Sequence, residues 1–248
     1  MEQHIEEKMG EGKKRDYFLP ASILIAAILV SVSLIYSAGR DGTAGPKDTG
    51  AGVQQAGPEN MKPVTADDHI RGSIDAEVTV VEYSDFECPY CKEFHKTMEQ
   101  VMAVYGSKVA WIYRHAAFHS KSSQEAEASE CAASLGGNDA FWKFNDEIFR
   151  VTPSNDGLDL SQLPQIAAVS GVDKQAFNEC MTSGKFTDKI QQETQDAINA
   201  GLKGTPYIIV TNKFGKQYVI PGAIPFSTPL SPGGPTTKQI IDQALANK

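Results

Sequence analysis

The sequence predicts an α/β fold in which a central sheet carries an inserted block of helices, preceded by one N-terminal transmembrane helix. Three observations predict it. A strand, an amphipathic helix and a second strand follow one another over residues 77–113, and a mainly helical stretch occupies about 120–202. Two strands and a last helix end the sequence, and an uncharged apolar run stands near its start. The predicted order is therefore β-α-β, helical block, β-β-α.

The composition is ordinary for a globular protein, with 248 residues, 41% apolar and 22% charged. The formal net charge is −8. A broad nucleic-acid surface would need clustered Lys and Arg side chains, so we expect no nucleic-acid partner.

Residues 17–36 (YFLPASILIAAILVSVSLIY) carry no charged side chain. A run of this length matches the ~20 residues that a helix needs to cross a bilayer. Lys13, Lys14 and Arg15 precede it, and the positive-inside tendency then places residues 1–16 in the cytoplasm. We therefore expect a single-pass membrane anchor whose following domain is extracytoplasmic, in a periplasm or at the cell exterior.

A cleaved signal peptide is the alternative interpretation of the same run. The run is longer than the usual ~7–15 residues, and no clear pair of small residues marks a cleavage site, because Tyr36 stands two positions before Ala38. A buried helix of a soluble protein is disfavoured, since no other segment could cover an all-round apolar surface. An uncleaved anchor is favoured, and cleavage stays open.

Residues 37–64 are rich in Gly, Ala, Pro and small polar side chains. Such a segment cannot bury enough apolar surface to offset its ordering entropy, so it predicts a flexible linker. Residues 65–248 have a globular pattern and predict one domain.

The first half of this domain is predicted as β-α-β. Glu77–Tyr83 (EVTVVEY) is β-branched and apolar, which indicates a buried strand. A helix ending at Gly106 follows, and its apolar stripe consists of Phe94, Met98, Val101 and Tyr105. Val109–Tyr113 indicates the second strand.

The helical block is divided by glycines and capping residues. Gly136–Gly137 is predicted to end its first helix, with Asn138 or Asp139 capping the next. Ser161 and Asp173 are candidate caps of two short helices, and Thr187–Leu202 is the last helix of the block.

Two strands and a helix are predicted after the block. Tyr207–Thr211 and Gln217–Ile220 flank a short turn and indicate a hairpin. After a Pro- and Gly-rich loop, Ile240, Ile241, Ala244 and Leu245 indicate an amphipathic helix.

The segment Cys88-Pro89-Tyr90-Cys91 lies at the predicted junction between the first strand and the first helix. A helix N-terminus offers unpaired N–H groups and partial positive charge, which favour a thiolate. We therefore expect Cys88 to be a partly exposed attacking thiol and Cys91, one turn further, to be the buried resolving thiol. Pro89 suits an early helical position because the N–H that it lacks would be unpaired there.

A zinc site or a purely structural disulfide are alternatives for this motif. Structural zinc needs four ligands, and Cys131 and Cys180 form no second pair of that spacing. His115 and His119 are four apart but have no evident third ligand, and we interpret them as loop or surface residues. We expect neither a metal nor a cofactor.

Four segments together carry a resemblance to a known family: VVEYSDFECPYCKEF (80–94), ASECAA (128–133), KGTPYIIV (203–210) and PGA (221–223). They are similar to the DsbA-like thiol–disulfide oxidoreductases of the thioredoxin-like superfamily, in particular the membrane-anchored branch. The resemblance covers about 180 residues, nearly everything after the linker. It implies a thioredoxin-like fold with a helical insertion.

The resemblance also implies roles for residues outside the motif. Pro206 should be cis and lie against the cysteine pair, with the backbone of Thr205 free to pair with a bound peptide; cis is accessible mainly to proline. Glu82 should be a buried acid that helps to move protons, although an edge-strand side chain reaching solvent is the alternative. Asp85 and Glu87 flank the motif, and their negative charge would oppose thiolate formation, which predicts a centre less oxidising than the most extreme members of the family.

The positions of Cys131 and Cys180 resemble those of a second disulfide that some members of the family have. Two buried free thiols are the alternative.

The function implied is that of an oxidase that transfers the Cys88–Cys91 disulfide to folding extracytoplasmic proteins with free thiols. A membrane redox partner, DsbB-like or VKOR-like, would regenerate the disulfide. A reductase or isomerase of the same fold is the alternative. A non-catalytic chaperone module is disfavoured by the intact motif, and a cytosolic glutaredoxin-like enzyme by the membrane run and the larger domain.

Overall fold

The computed structural model of the protein describes residues 60–247. The predicted cytoplasmic tail, the membrane anchor at 17–36 and most of the linker lie outside these residues. Within residues 60–247, no helix is long and apolar enough to cross a membrane.

One five-stranded sheet forms the centre of the domain, with strand order β1-β3-β2-β4-β5. The strands are β1 (His69–Arg71), β2 (Val78–Ser84), β3 (Val109–His115), β4 (Tyr207–Asn212) and β5 (Gln217–Pro221). Strands β2 and β3 are parallel, and every other neighbouring pair is antiparallel. The sequence did not predict β1, because three residues reading HIR carry neither length nor alternation.

Six α-helices are present in the described residues. They are α1 (Pro89–Tyr105), α2 (Ser122–Val151), α3 (Leu163–Val169), α4 (Lys174–Ser183), α5 (Thr187–Asn199) and α6 (Thr237–Ala246). The predicted bounds are right to within a few residues for α1, α5 and α6. Gly106, with φ 54°, follows the end of α1 as expected of a terminating glycine.

The first two helices predicted for the block are joined into α2. Gly137 has φ 72° and ψ −170°, so it interrupts the helix with a kink. The capping roles predicted for Asn138 and Ser161 are wrong. The Asn138 amide instead donates to the Ile70 carbonyl, and Asp159 receives the capping bond from the Ser161 N–H. Asp173 does cap α4, because its carboxylate accepts from the N–H groups of Gln175 and Ala176, the second and third residues of the helix.

The two faces of the sheet pack against different helices. Alternation along β2 places Val78 and Val80 in the larger core with α1, α6 and the aromatic side chains of the helical block. Val81 and Tyr83 point the other way, toward Ala197 of α5. Because β2 is the middle strand and is buried on both faces, the segment that follows it, residues 85–91, is held at the centre of the domain.

A disulfide between Cys131 and Cys180 joins α2 to α4 across 49 residues of sequence. The alternative of two free thiols does not hold in this structure. In the loop-entropy description, closing a loop of this size restricts the unfolded chain by about 4 kcal/mol. The disulfide therefore stabilises the helical block by tying two of its helices together.

Candidate active site

Cys88 is the N-cap residue of helix α1, which begins at Pro89. Its backbone is extended, with φ −79° and ψ 120°, and its carbonyl accepts the first helical hydrogen bond from the Lys92 N–H at 3.1 Å. The N–H groups of the first turn have no helical acceptors, so they are available to a negative charge on the sulfur.

The sulfur of Cys88 lies 3.4 Å from the carbonyl oxygen of Thr205. The pKa of the Cys88 thiol is lowered to about 6. The largest cause is a hydrogen bond from Cys91; burial opposes it, and hydrogen bonds from Thr205 and from the backbone of Tyr90 and Cys91 add to the lowering. A large fraction of Cys88 is therefore thiolate at neutral pH.

Cys88 is less exposed than the sequence predicted. Only 5% of the residue is accessible, because the Thr205 carbonyl packs against its sulfur. Tyr90, the second residue of the motif's centre, is 67% exposed. Between the two cysteines, the exposed surface of the motif is therefore mainly the Tyr90 side chain.

Cys91 lies one turn into α1 and is fully buried. Its sulfur accepts a hydrogen bond from the Asp85 N–H at 3.4 Å. Burial, followed by the hydrogen bond to Cys88 and the negative charges of Cys88 and Glu82, raises the pKa of Cys91 well above its usual value. The two cysteines are free in this structure, and their acidities are shifted in opposite directions.

The peptide bond between Thr205 and Pro206 is cis, and Pro206 leads into β4. A groove of about 510 Å³ opens beside it. The lining residues are Gly201, Lys203, Gly204, Thr205, Pro206, Tyr207, Val219, Pro221 and Gly222. An extended segment of another protein that entered this groove would lie next to the Thr205 backbone and hence next to Cys88.

Glu82 is fully buried in the middle strand β2, so the alternative of an edge-strand side chain reaching solvent is wrong. One carboxyl oxygen accepts from the Trp111 indole N–H at 2.9 Å, and the other has no partner among the described residues. Burial raises the pKa of Glu82 to about 7; the hydrogen bond from Trp111 lowers it, and the charge of Cys88 raises it further. Glu82 can therefore gain and lose a proton near neutral pH.

Asp85 organises the two loops beside the cysteines. The buried carboxylate accepts hydrogen bonds from backbone N–H groups before α1 and after β3, from a hydroxyl and from an imidazole. These donors are the N–H groups of Glu87, Phe118 and His119, the Ser122 hydroxyl, and His119 Nδ1. Its charge is thus largely balanced by hydrogen bonds, which the sequence did not indicate.

Glu87 precedes Cys88 and is also fully buried. Its carboxylate accepts from the N–H groups of Gly157 and Leu158 at 3.0 and 3.1 Å. Glu125 of α2 lies against it with no hydrogen-bond donor among the described residues. Burial and then the nearby charge of Glu87 raise the pKa of Glu125 to about 9. Glu125 is therefore a neutral acid at pH 7 and adds no charge near the cysteines.

Of the two histidines interpreted as loop or surface residues, only His119 lies in a loop. His115 is buried at the end of β3, where its Nε2 lies 3.0 Å from Glu130, so that interpretation is wrong. His119 does lie in the loop after β3, but its ring contacts Asp85. Nothing in the sequence could place either contact, because both depend on pairing between distant segments.

The structure brings together Cys88, Cys91, Thr205, Pro206 and Glu82, the five residues predicted for the redox site. The Cys131–Cys180 disulfide lies apart from them, within the helical block. An acidic thiol beside a buried, weakly acidic thiol is an arrangement that can break and form disulfides by exchange.

The profile of the thioredoxin family matches residues 64–218. Among solved structures, BdbD from Bacillus subtilis is similar, with 22% identity, coverage of 76% of this chain and 98% of that chain, and a TM-score of 0.62. DsbA2 from Pseudomonas aeruginosa has 22% identity, coverage of 73% and 94%, and a TM-score of 0.57. The predicted thioredoxin-like fold with a helical insertion is confirmed.

The α-DsbA1 structure from Wolbachia pipientis is 26% identical, covering 63% of this chain and 80% of that chain with a TM-score of 0.54. A curated Na⁺/H⁺ antiporter, NhaA 1 of Mycolicibacterium gilvum, is 31% identical over 159 residues, which are 62% of this chain and 25% of that protein. The chain thus spans about a quarter of the length of the curated relatives that it matches.

The position of Glu82 predicts how its loss changes the cysteines. The negative charges of Glu82 and Cys88 repel each other, so ionisation of Glu82 near pH 7 should raise the pKa of Cys88. The pH dependence of Cys88 alkylation should therefore have a second step. Glu82→Gln should leave a single step. The measurement is the rate of iodoacetamide modification from pH 4 to 9, with Glu77→Gln, a half-exposed acid directly before β2, as the matched control. An unaltered curve for Glu82→Gln would dismiss the role.

Proposed function

Because the chain belongs to the thioredoxin family, we propose that it is a DsbA-type thiol–disulfide oxidoreductase that introduces disulfides into folding proteins outside the cytoplasm. The proposal rests on exchange at the Cys88–Cys91 pair. The observation that carries it is the opposite shift of the two cysteine pKa values, downward for Cys88 and upward for Cys91.

The lowered pKa of the Cys88 thiol favours the oxidase direction. A thiolate that is stabilised by its surroundings is a good leaving group, and a stabilised reduced form makes the disulfide a stronger oxidant. The first turn of α1, Thr205 and Cys91 all stabilise the Cys88 thiolate, and only burial opposes it among the leading influences on its pKa.

The exchange proceeds in two steps. A client thiolate attacks the sulfur of Cys88, the Cys88–Cys91 bond breaks, and the sulfur of Cys91 leaves with the electron pair. A second client thiolate then attacks the client sulfur of this mixed disulfide, and Cys88 leaves as thiolate. Two electrons pass from the client to the cysteine pair, and the client gains its disulfide.

Glu82 and the groove have supporting roles in these steps. The buried sulfur of Cys91 needs a proton once it leaves, and Glu82, whose pKa is about 7, can supply it at neutral pH. The client's extended backbone enters the groove beside Pro206, where the Thr205 backbone aligns it with Cys88.

We propose further that residues 17–36 anchor the domain in the membrane and that the domain faces the extracytoplasmic side. The uncharged run and the preceding Lys13–Arg15 support this location. The Cys131–Cys180 disulfide supports it as well, because such bonds persist in oxidising compartments. A DsbB-like or VKOR-like membrane protein would then accept the two electrons and regenerate the disulfide.

The direction of exchange is tested by the reduction potential of the Cys88–Cys91 pair, measured against glutathione. We expect a value nearer the roughly −120 mV of strong oxidants than the roughly −270 mV of thioredoxin. The oxidised protein should accordingly oxidise a reduced, unfolded ribonuclease faster than the reduced protein reduces insulin. The Cys88→Ser variant is the control for both assays. A potential near that of thioredoxin, with efficient insulin reduction or repair of scrambled disulfides, would contradict the oxidase proposal.

The location is tested by a trapping variant of the full chain. Cys91→Ala removes the resolving thiol, so mixed disulfides through Cys88 should accumulate with clients and with the reoxidising partner. Mass spectrometry of the adducts from the membrane fraction should identify extracytoplasmic proteins. Adducts with cytoplasmic proteins alone would refute the proposed side of the membrane, and the Cys88→Ala, Cys91→Ala double variant gives the background.

A further inference from the structure

His119 stands beside the cysteine pair without being part of its motif. It lies in the loop between β3 and α2, and its side chain is 30% exposed. Its Nδ1 atom is 3.0 Å from an oxygen of the Asp85 carboxylate. The same oxygen accepts the backbone N–H of His119 at 3.1 Å, so both the ring and the backbone of His119 are fixed to Asp85.

Asp85 in turn fixes His119 relative to the two sulfurs. Asp85 is three residues before Cys88, and its own N–H donates to the sulfur of Cys91. Its other carboxyl oxygen accepts from the Glu87 N–H, next to Cys88, and from the Ser122 hydroxyl at the start of α2. A single buried carboxylate therefore holds the imidazole and the cysteine turn in one arrangement.

The surroundings of Cys88 are otherwise acidic or neutral. The segment Cys88-Pro89-Tyr90-Cys91 contains no cation between its cysteines. The other titratable groups that act on Cys88 or on His119 are Glu82 from β2, Asp85, Cys91 from α1, and Asp156 from the loop after α2.

The neighbouring lysines are engaged elsewhere or open to solvent. Lys92 donates to the Thr152 carbonyl at 2.5 Å, and Lys121 donates to the Leu158 carbonyl at 2.6 Å. Lys203, at the edge of the groove, is exposed, and its charge is therefore screened by water and salt.

We propose that His119, held by Asp85, is a cation that stabilises the Cys88 thiolate and that the loss of its proton as pH rises removes this stabilisation. This inference rests on the proposed function, because it assigns a partner to the thiolate that performs the exchange. Asp85 acts as a positioning residue, and His119 acts through its charge.

The physical basis is the mutual effect of the two charges. Burial lowers the pKa of His119, but the hydrogen bond to Asp85 and the charges of Asp85, Cys88 and Asp156 outweigh it, so the pKa of His119 is raised. Coupling of this kind is reciprocal. The imidazolium therefore lowers the pKa of Cys88, and removal of the thiolate, when Cys88 enters a disulfide, lowers the pKa of His119.

The experiment uses the full chain and the variant His119→Gln. Glutamine keeps a side-chain N–H that can reach Asp85 but carries no charge. The rate of Cys88 alkylation is followed from pH 4 to 9 in the reduced protein, with Lys203→Gln as a control that also removes one cation near the groove. We expect the midpoint to rise for His119→Gln, so that the rate on the acidic limb falls about three- to tenfold, and to move far less for Lys203→Gln.

A second measurement needs no variant. The His119 ring proton signal is titrated by NMR in the reduced and the oxidised wild-type protein, and its pKa should be lower in the oxidised form. Coinciding Cys88 midpoints for wild type and His119→Gln, or equal His119 titrations in both redox forms, would overturn the inference and leave the proposed function intact. A wild-type Cys88 midpoint at the ordinary value of a free thiol would overturn both.

Discussion

The site depends on one constraint: a thiolate needs hydrogen-bond donors, and this fold supplies them at the N-terminus of helix α1. Cys88 occupies the N-cap, where backbone N–H groups of the first turn help to lower the pKa of its thiol. Cys91 follows one turn later, inside the core, where burial outweighs the hydrogen bond from the Asp85 N–H and holds its proton. The helix therefore gives two chemically identical side chains different pKa values, and this difference makes Cys88, rather than Cys91, the attacking thiol.

The acidic residues around the cysteines oppose this arrangement, and the fold offsets them in two ways. Asp85 and Glu87 are buried, but backbone N–H groups from three loops surround their carboxylates. Glu82 and Glu125 lack enough donors, and burial instead raises their pKa values to about 7 and about 9. Shifted pKa values of buried groups are typical of functional sites, where the residues serve the chemistry rather than stability.

Local patterns in the sequence predicted the strand before the motif, helix α1 and the hairpin, because period-2 and period-3.6 patterns are written within each segment. The residues of the site were predicted from the motif and its family resemblance. Strand β1 was missed because a three-residue edge strand exists only through its pairing with β3. The contacts of His119 and Glu125, and the cover that Thr205 places over Cys88, were missed for the same reason, since each joins segments that are far apart in the chain.

The central claim is that Cys88 is an acidic thiol at a helix N-terminus, and a spectroscopic titration tests it most directly. Absorbance at 240 nm reports thiolate, and the reduced wild-type protein is compared with Cys88→Ser over pH 3 to 10. In the wild type, one thiolate should appear with a midpoint at about pH 6; in the variant no thiolate should appear there, because burial raises the pKa of Cys91 well above its usual value. A midpoint near 8.5, the value of an unperturbed cysteine, would contradict it.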